Sequence, residues 1–280
     1  KLGGGWLGRH LRFRKGGQLT PLSAVSIGKT LPESLRGAPS ASALSSVDDV
    51  KLNAPHANPK AVADALAQLY GLDSDQLGHA GSITVELLRK VERLQKKAYT
   101  PANDAIYPDS NLGRALMEVA RLIKAGVGVE VACVDHDGWD THFFQGTTDG
   151  LQAGNIDDLG KSLGAFYKDT KKYSDNVTTV VITEFGRRVY ENSSMGTDHG
   201  RGFALMAMGS KINGGRVLGN WPGLKEEQNF GASQFLGPSG LSVIIDYRSV
   251  LAELLENLLG NDNIAAVFPD FSPGKIGLIR

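Results

Sequence analysis

Apolar residues first recur at helical spacing after Asn58-Pro59, a cap followed by proline in the first turn, and the pattern runs to Tyr70-Gly71. A longer helix is expected over about 81–98, with Ile83, Leu87, Val91 and Leu94 on one face. A third is expected over 111–125, where Leu112, Ala115, Leu116, Val119 and Ile123 form a stripe that Gly126 ends. Ahead of these helices, residues 16–56 are rich in Ser, Pro, Gly and Ala. They read as irregular structure with a strand or two, Ala24-Val25-Ser26-Ile27 among the short apolar runs.

The pattern then changes period. Val127 to Val134 is a β-branched run of strand length, followed by a polar loop at 135–150, a helix at about 155–174 and a strand from Val177 to Thr183. After a loop at 184–202, Phe203 to Met208 reads as a third buried strand. Strand, helix and strand in this order favour a parallel sheet with helices packed on it. Asp246 is placed to cap a last helix, with Val250, Leu251, Leu254, Leu255 and Leu258 facing inward until Gly260. There is no internal repeat and no heptad pattern.

Composition narrows the function classes. At 280 residues and 41% hydrophobic content the chain can bury a substantial core. Thirty basic residues balance thirty acidic ones, so charge gives no reason to expect nucleic acid or an anionic membrane as partner. No apolar run approaches the roughly 20 residues that cross a bilayer. The one cysteine, Cys133, excludes an intrachain disulfide and sits in an apolar strand, as a small core residue does. The chain starts at Lys1-Leu2-Gly3 without Met or a signal-peptide pattern, which reads as a processed or truncated end.

The chemistry gathers after the strands. The run at 127–134 leads directly into Asp135-His136-Asp137-Gly138-Trp139-Asp140-Thr141-His142, five residues of metal-ligand type within eight positions. In a locally extended chain Asp140 and His142 point the same way. The strand at 177–183 leads into Glu184-Phe185-Gly186-Arg187, and Thr197-Asp198-His199-Gly200 precedes the next strand. Polar residues past the carboxyl ends of parallel strands lie where open α/β sheets bind ligands. Carboxylates with imidazoles suit Zn²⁺, Mn²⁺ or Fe²⁺ better than Ca²⁺. Each piece also has an ordinary reading: solvated loop residues, Asp198 in a turn with a left-handed Gly200, or a Glu184–Arg187 ion pair worth under about 1 kcal/mol if exposed.

Gly138-Trp139-Asp140-Thr141-His142, Glu184-Phe185-Gly186-Arg187 and Gly196-Thr197-Asp198-His199-Gly200 resemble the signature blocks of domain-of-unknown-function family 1501. Gly5-Trp6-Leu7-Gly8-Arg9, Leu31 to Gly37 and Asp246-Tyr247-Arg248-Ser249 extend the likeness over nearly the whole chain. The resemblance implies an alkaline phosphatase-like fold: one domain over 1–280, with an irregular segment at 1–57, a helical portion at 58–126, and a largely parallel sheet with the polar site at 127–280. It implies a dinuclear centre with Asp140, His142, Asp198 and His199 among its ligands; the hydrolase reading adds Glu184 as a ligand and Arg187 on an anionic ester oxygen. Members often carry a twin-arginine export signal, so a periplasmic or extracellular setting is expected.

The family pattern also has an upstream strand bearing an Asp and a Ser nucleophile, which would precede Lys1. No His follows His199, where the superfamily usually has a third His of the second metal site. The site is therefore expected to be completed by an amino-terminal segment or a partner chain. Thr141, Thr183 and Thr197 adjoin the motifs, but none matches the nucleophile position. Two functions remain open: a metal-dependent hydrolase of phosphate or sulfate esters, and an exported binding or structural protein without turnover. A nucleotide-binding reading is weaker, because Gly3-Gly4-Gly5 precedes no phosphate-binding helix after a strand.

Overall fold

A computed structural model describes residues 3–52, 54, 56–72, 76–96, 98–221, 223–225, 229–230 and 240–280; Lys1 and Leu2 of the expected processed end lie outside the described residues. In chain order the elements are α1 (Trp6–Phe13), β1 (Ala24–Ile27), β2 (Ser42–Leu44), α2 (Pro59–Gly71), α3 (Gln76–Gln95), α4 (Asn111–Ala125), β3 (Val131–Val134) and α5 (Leu151–Asp169). There follow β4 (Thr178–Val181), β5 (Gly186–Arg187), β6 (His199–Gly200), β7 (Met206–Gly209), β8 (Asn229–Phe230), β9 (Gly240–Leu241), α6 (Tyr247–Leu259) and α7 (Ile264–Val267). The chain divides into two compact units, residues 1–135 with 161–171, and residues 136–160 with 172–280. Among the described residues no helix is long and apolar enough to cross a membrane.

The first unit is built on a parallel sheet of order β2-β1-β3. Adjacent residues of a strand face opposite sides, and Ala24 and Val25, both fully buried, divide the packing accordingly. Ala24 packs with Leu7, Leu11 and Leu35, with Val131 and Cys133 against them. Val25 packs with Leu22, Leu44, Val47, Leu87, Val91, Leu122 and Val127. Burial pushes the Cys133 thiol up to about 11, against a weaker downward pull from its Ser34 hydrogen bond, so it stays a protonated packing group at neutral pH. Helix ends follow the sequence signals. Asn58 accepts from the Lys60 N–H, Ser110 from the Gly113 N–H, and Gly126 ends α4 at φ +58°.

One element is added and the bounds of two expected ones are corrected here. The added element is α1, in which Leu7, Gly8, His10 and Leu11 are buried while Arg9 and Arg12 are more open. The strand expected from Val127 begins at Val131, where pairing with β1 starts. The expected helix at 155–174 begins earlier, at Leu151, and gives way to a tighter turn at Lys171–Asn176.

The second unit corrects the topology. The expected strands at 177–183 and 203–208 form as β4 and β7, but they pair antiparallel, Thr178 opposite Gly209 and Val181 opposite Met206. Parallel neighbours need a crossover, usually helical, and the connection from 182 to 205 contains no helix, only β5 and β6. β5 with β6 and β8 with β9 are also antiparallel pairs. The parallel sheet is thus small, and the largely parallel central sheet is not what the described residues form. Asp246 caps α6 by accepting from Arg248 N–H, and Gly260 ends it at φ +61°. Val250, Leu251, Leu254 and Leu255 of α6 are buried, as are Ile264, Val267 and Phe268 in and next to α7. Both oxygens of Glu253 accept from the backbone N–H groups of residues 276–279, tying the carboxyl-terminal segment to α6.

Candidate metal centre

Two loop segments of the second unit are stitched together by their backbones. Phe144 N donates to Ser194 O at 3.1 Å, Gln145 N to Met195 O at 2.9 Å, and Thr197 N to Thr141 O at 3.3 Å. The Thr141 and Thr197 hydroxyls both donate to Gln145 Oε1, at 3.0 and 2.7 Å. Gly196 lies so close to His142 that an added Cβ would collide with the His142 carbonyl. Gly200 is extended rather than left-handed, and its role is also close approach: a Cβ there would meet the Arg187 carbonyl across the β5–β6 pair.

This stitching brings three ligand atoms together. Asp140 Oδ1 lies 3.1 Å from His142 Nε2 and 2.7 Å from His199 Nε2, and the two imidazole nitrogens are 3.2 Å apart. Atoms each about 2.0–2.2 Å from one Zn²⁺-like ion must lie within roughly 4.4 Å of one another, which these satisfy. Among the described residues this is a group of metal-ligating type whose atoms all fall within 4.8 Å. Asp140 is exposed and the two imidazoles half-exposed, so the group is open to solvent. Asp140 and His142 meet because the backbone bends between them, with His142 N donating to Asp140 O at 3.1 Å, and not through the alternation of an extended chain.

Neighbouring groups set the charges and orientations. The His199 hydrogen bond, followed by the nearby His142 and His199 rings and the Arg187 guanidinium, holds the Asp140 carboxyl below the usual range. Hydrogen bonds from Asn192 and then His142 do the same for Asp198. Both are therefore carboxylates at neutral pH. Phe185 stacks on His199 with centroids 4.0 Å apart and planes 14° from parallel. The Arg187 guanidinium donates to the carbonyls of Trp139 and Thr197, and reaches Asp140 Oδ1 at 3.4 Å.

Of the residues expected at the site, Asp140, His142 and His199 meet. Asp198 stands behind them: its Oδ1 is 3.0 Å from His142 Nδ1, on the far nitrogen of the ring. A carboxylate there accepts a hydrogen bond from Nδ1–H in the tautomer that leaves Nε2 with the lone pair a metal takes. Glu184 is exposed and lies outside the ligand group, and no Glu184–Arg187 ion pair forms among the described contacts. His136 belongs to a separate pair with Asp158, 3.3 Å away, and packs edge-on to Trp139. The Thr183 hydroxyl donates to Phe185 O at 3.3 Å. Sequence reasoning missed Asn192 and Gln145, each bridging the two segments by side-chain hydrogen bonds. A lone amide in a polar loop carries no periodic or motif signal, so nothing in the chain's local pattern marks them.

No curated protein and no solved structure matches the chain. A family model described as "Protein of unknown function (DUF1501)" matches residues 1–261, which cover the whole ligand group, α6 and both segments that build the site. The chain belongs to the DUF1501 family.

Proposed function

We propose that this protein holds a divalent transition metal at Asp140, His142 and His199 and uses it to hydrolyse phosphate or sulfate esters, in a periplasmic or extracellular setting and on an alkaline phosphatase-like scaffold. The observation that carries the reading is the convergence of Asp140 Oδ1, His142 Nε2 and His199 Nε2 within 3.2 Å of each other. One carboxylate and two imidazoles suit Zn²⁺, Mn²⁺ or Fe²⁺. When bound, such an ion supplies Lewis-acid polarisation of an ester oxygen. The chain's own residues do the rest. Asp198 keeps the His142 proton on Nδ1, Phe185 fixes the plane of His199, and Arg187 adds a positive charge that attracts an anionic ester. Three contacts of Arg187 use fewer than its five N–H donors, leaving capacity for a substrate oxygen.

A metal-holding protein without turnover is the second reading. It is favoured by the threonines nearest the motifs, whose three hydroxyls are all donated to protein acceptors and so are engaged as ties. The deciding experiment measures bound metal by elemental analysis and hydrolysis of aryl phosphate and aryl sulfate esters on one preparation. Metal-dependent turnover that disappears in His199→Ala supports the hydrolase. Stoichiometric metal without turnover supports the second reading. A protein that takes up no Zn²⁺, Mn²⁺ or Fe²⁺ would overturn both.

A further inference from the structure

We propose that Asn192 is the positioning residue of the metal centre: it holds Asp198 against His142 and so keeps His142 in the tautomer that offers Nε2 to a cation. The inference rests on the metal-binding reading above. Four contacts converge on this single amide. Nδ2 donates to the His142 carbonyl at 2.9 Å and to Asp198 Oδ1 at 3.1 Å. Oδ1 accepts from Ser194 N at 2.9 Å and Gly196 N at 3.1 Å. Two acceptors face one end and two backbone donors the other, so the amide orientation is determined: a flip would oppose like groups at all four contacts.

The arrangement gives Asn192 two tasks. Its acceptor end closes the turn at 192–196, which its own N–H also spans to Gly196 O at 2.9 Å. Its donor end does something a turn does not require. Asp198 is only part-buried, its side chain 43% exposed, and a carboxylate so placed has rotamers to choose from. The same Oδ1 that takes the Asn192 N–H also takes His142 Nδ1, so Asn192 selects the rotamer in which Asp198 serves His142. The second N–H grips the His142 backbone directly, so ring and carboxylate are held from one point. Asp140 Oδ1 faces the same ring 3.1 Å from Nε2, so the tautomer turns on which carboxylate is held better. Asn192 holds Asp198, so that the proton stays on Nδ1 and Nε2 is left for a metal.

Two substitutions separate the tasks. Asn192→Ala removes both ends of the amide, whereas Asn192→Asp keeps an acceptor for Ser194 and Gly196 and removes the donors. In metal-free protein at alkaline pH, ¹⁵N chemical shifts should place the His142 proton on Nδ1 in the parent. Both variants should move it to a mixture of tautomers. If Asn192→Asp keeps the parental tautomer, or if the parent is not in the Nδ1–H form, the proposal is wrong and Asn192 is a turn cap alone. A Co²⁺ titration followed by visible absorption gives a second readout. Asn192→Ala should weaken binding about tenfold or more, and Asn192→Ala with Asp198→Ala should bind no more weakly than Asp198→Ala alone. Losses that multiply would show that Asn192 acts by another route. Should the parent take up no Co²⁺, the metal reading fails by itself, while the tautomer measurement still decides the role of Asn192.

Discussion

His199 offers a contrast with the other imidazoles. Replacing His199 with Ala removes one of three converging ligand atoms, and metal affinity should fall by more than the roughly tenfold expected for an outer partner. Elemental analysis after dialysis should show that loss, while His10, His56 and His79, which are outside the group, can each be changed without it. Equal metal content in all four variants would remove the assignment. His10 makes a different prediction. It is fully buried in α1, and burial, followed by the Arg14 charge, lowers it to about 4 from 6.5. Below 6.5 the unfolded chain takes up a proton that the folded chain refuses, so stability should fall as pH drops from 6.5 toward 4. Melting temperatures across that window should flatten in His10→Gln. An unchanged slope would mean that His10 is not the group responsible.

At the scale of elements, α6 and the carboxyl-terminal segment depend on one side chain. Burial tends to raise the Glu253 carboxyl, but the four backbone N–H groups of residues 276–279 outweigh it and hold it below its usual value. Because the folded value is depressed, the anchor is complete above the unfolded value of 4.5 and is lost as pH falls through the folded one. Glu253→Gln should cost about 1.5–3 kcal/mol, the range for hydrogen bonds to a charged group. Amide exchange at residues 276–279 should rise at the same time. Protection that survives the substitution would contradict the anchor. The helix caps behave more simply. Gly260→Ala meets no atom within 4 Å, so its cost of about 1 kcal/mol should come from the left-handed φ of +61° alone. Thermal denaturation of that variant checks it.

For the whole molecule, all three candidate ligands fall in the second unit, residues 136–160 and 172–280. A ligand that binds only the folded form stabilises it by about 2.7 kcal/mol at one hundred times its dissociation constant. Zn²⁺ should therefore slow amide exchange most in peptides carrying residues 139–145 and 186–200. Peptides of the β2-β1-β3 sheet should respond less. Uniform protection across both units, or none near the ligand group, would count against a metal centre at this place.

How much of this was legible in the chain depends on the range over which each feature is encoded. Helices α2, α4 and α6 follow from apolar spacing with end signals at Asn58, Gly126, Asp246 and Gly260, because a helix satisfies its hydrogen bonds within its own sequence. The apolar face of α3 also marks it, but it lies at Gln76–Gln95 rather than 81–98, and the Ser110 cap was not foreseen. Asp140, His142, Asp198 and His199 stood out because ligand-type residues crowd short stretches. Strand partners are another matter, since a strand satisfies its backbone only through a neighbour that sequence order does not name. Hence β4 and β7 were foreseen as strands while their antiparallel pairing was not. The division of labour within the site is likewise tertiary. Asp140 and Asp198 are the same residue type, each beside a histidine or two residues from one, yet one oxygen meets two Nε2 atoms and the other meets Nδ1. That difference arises where residues 140–145 are held against 192–197, and the sequence itself determined only that both carboxylates, and Asn192 between them, would be there to be placed.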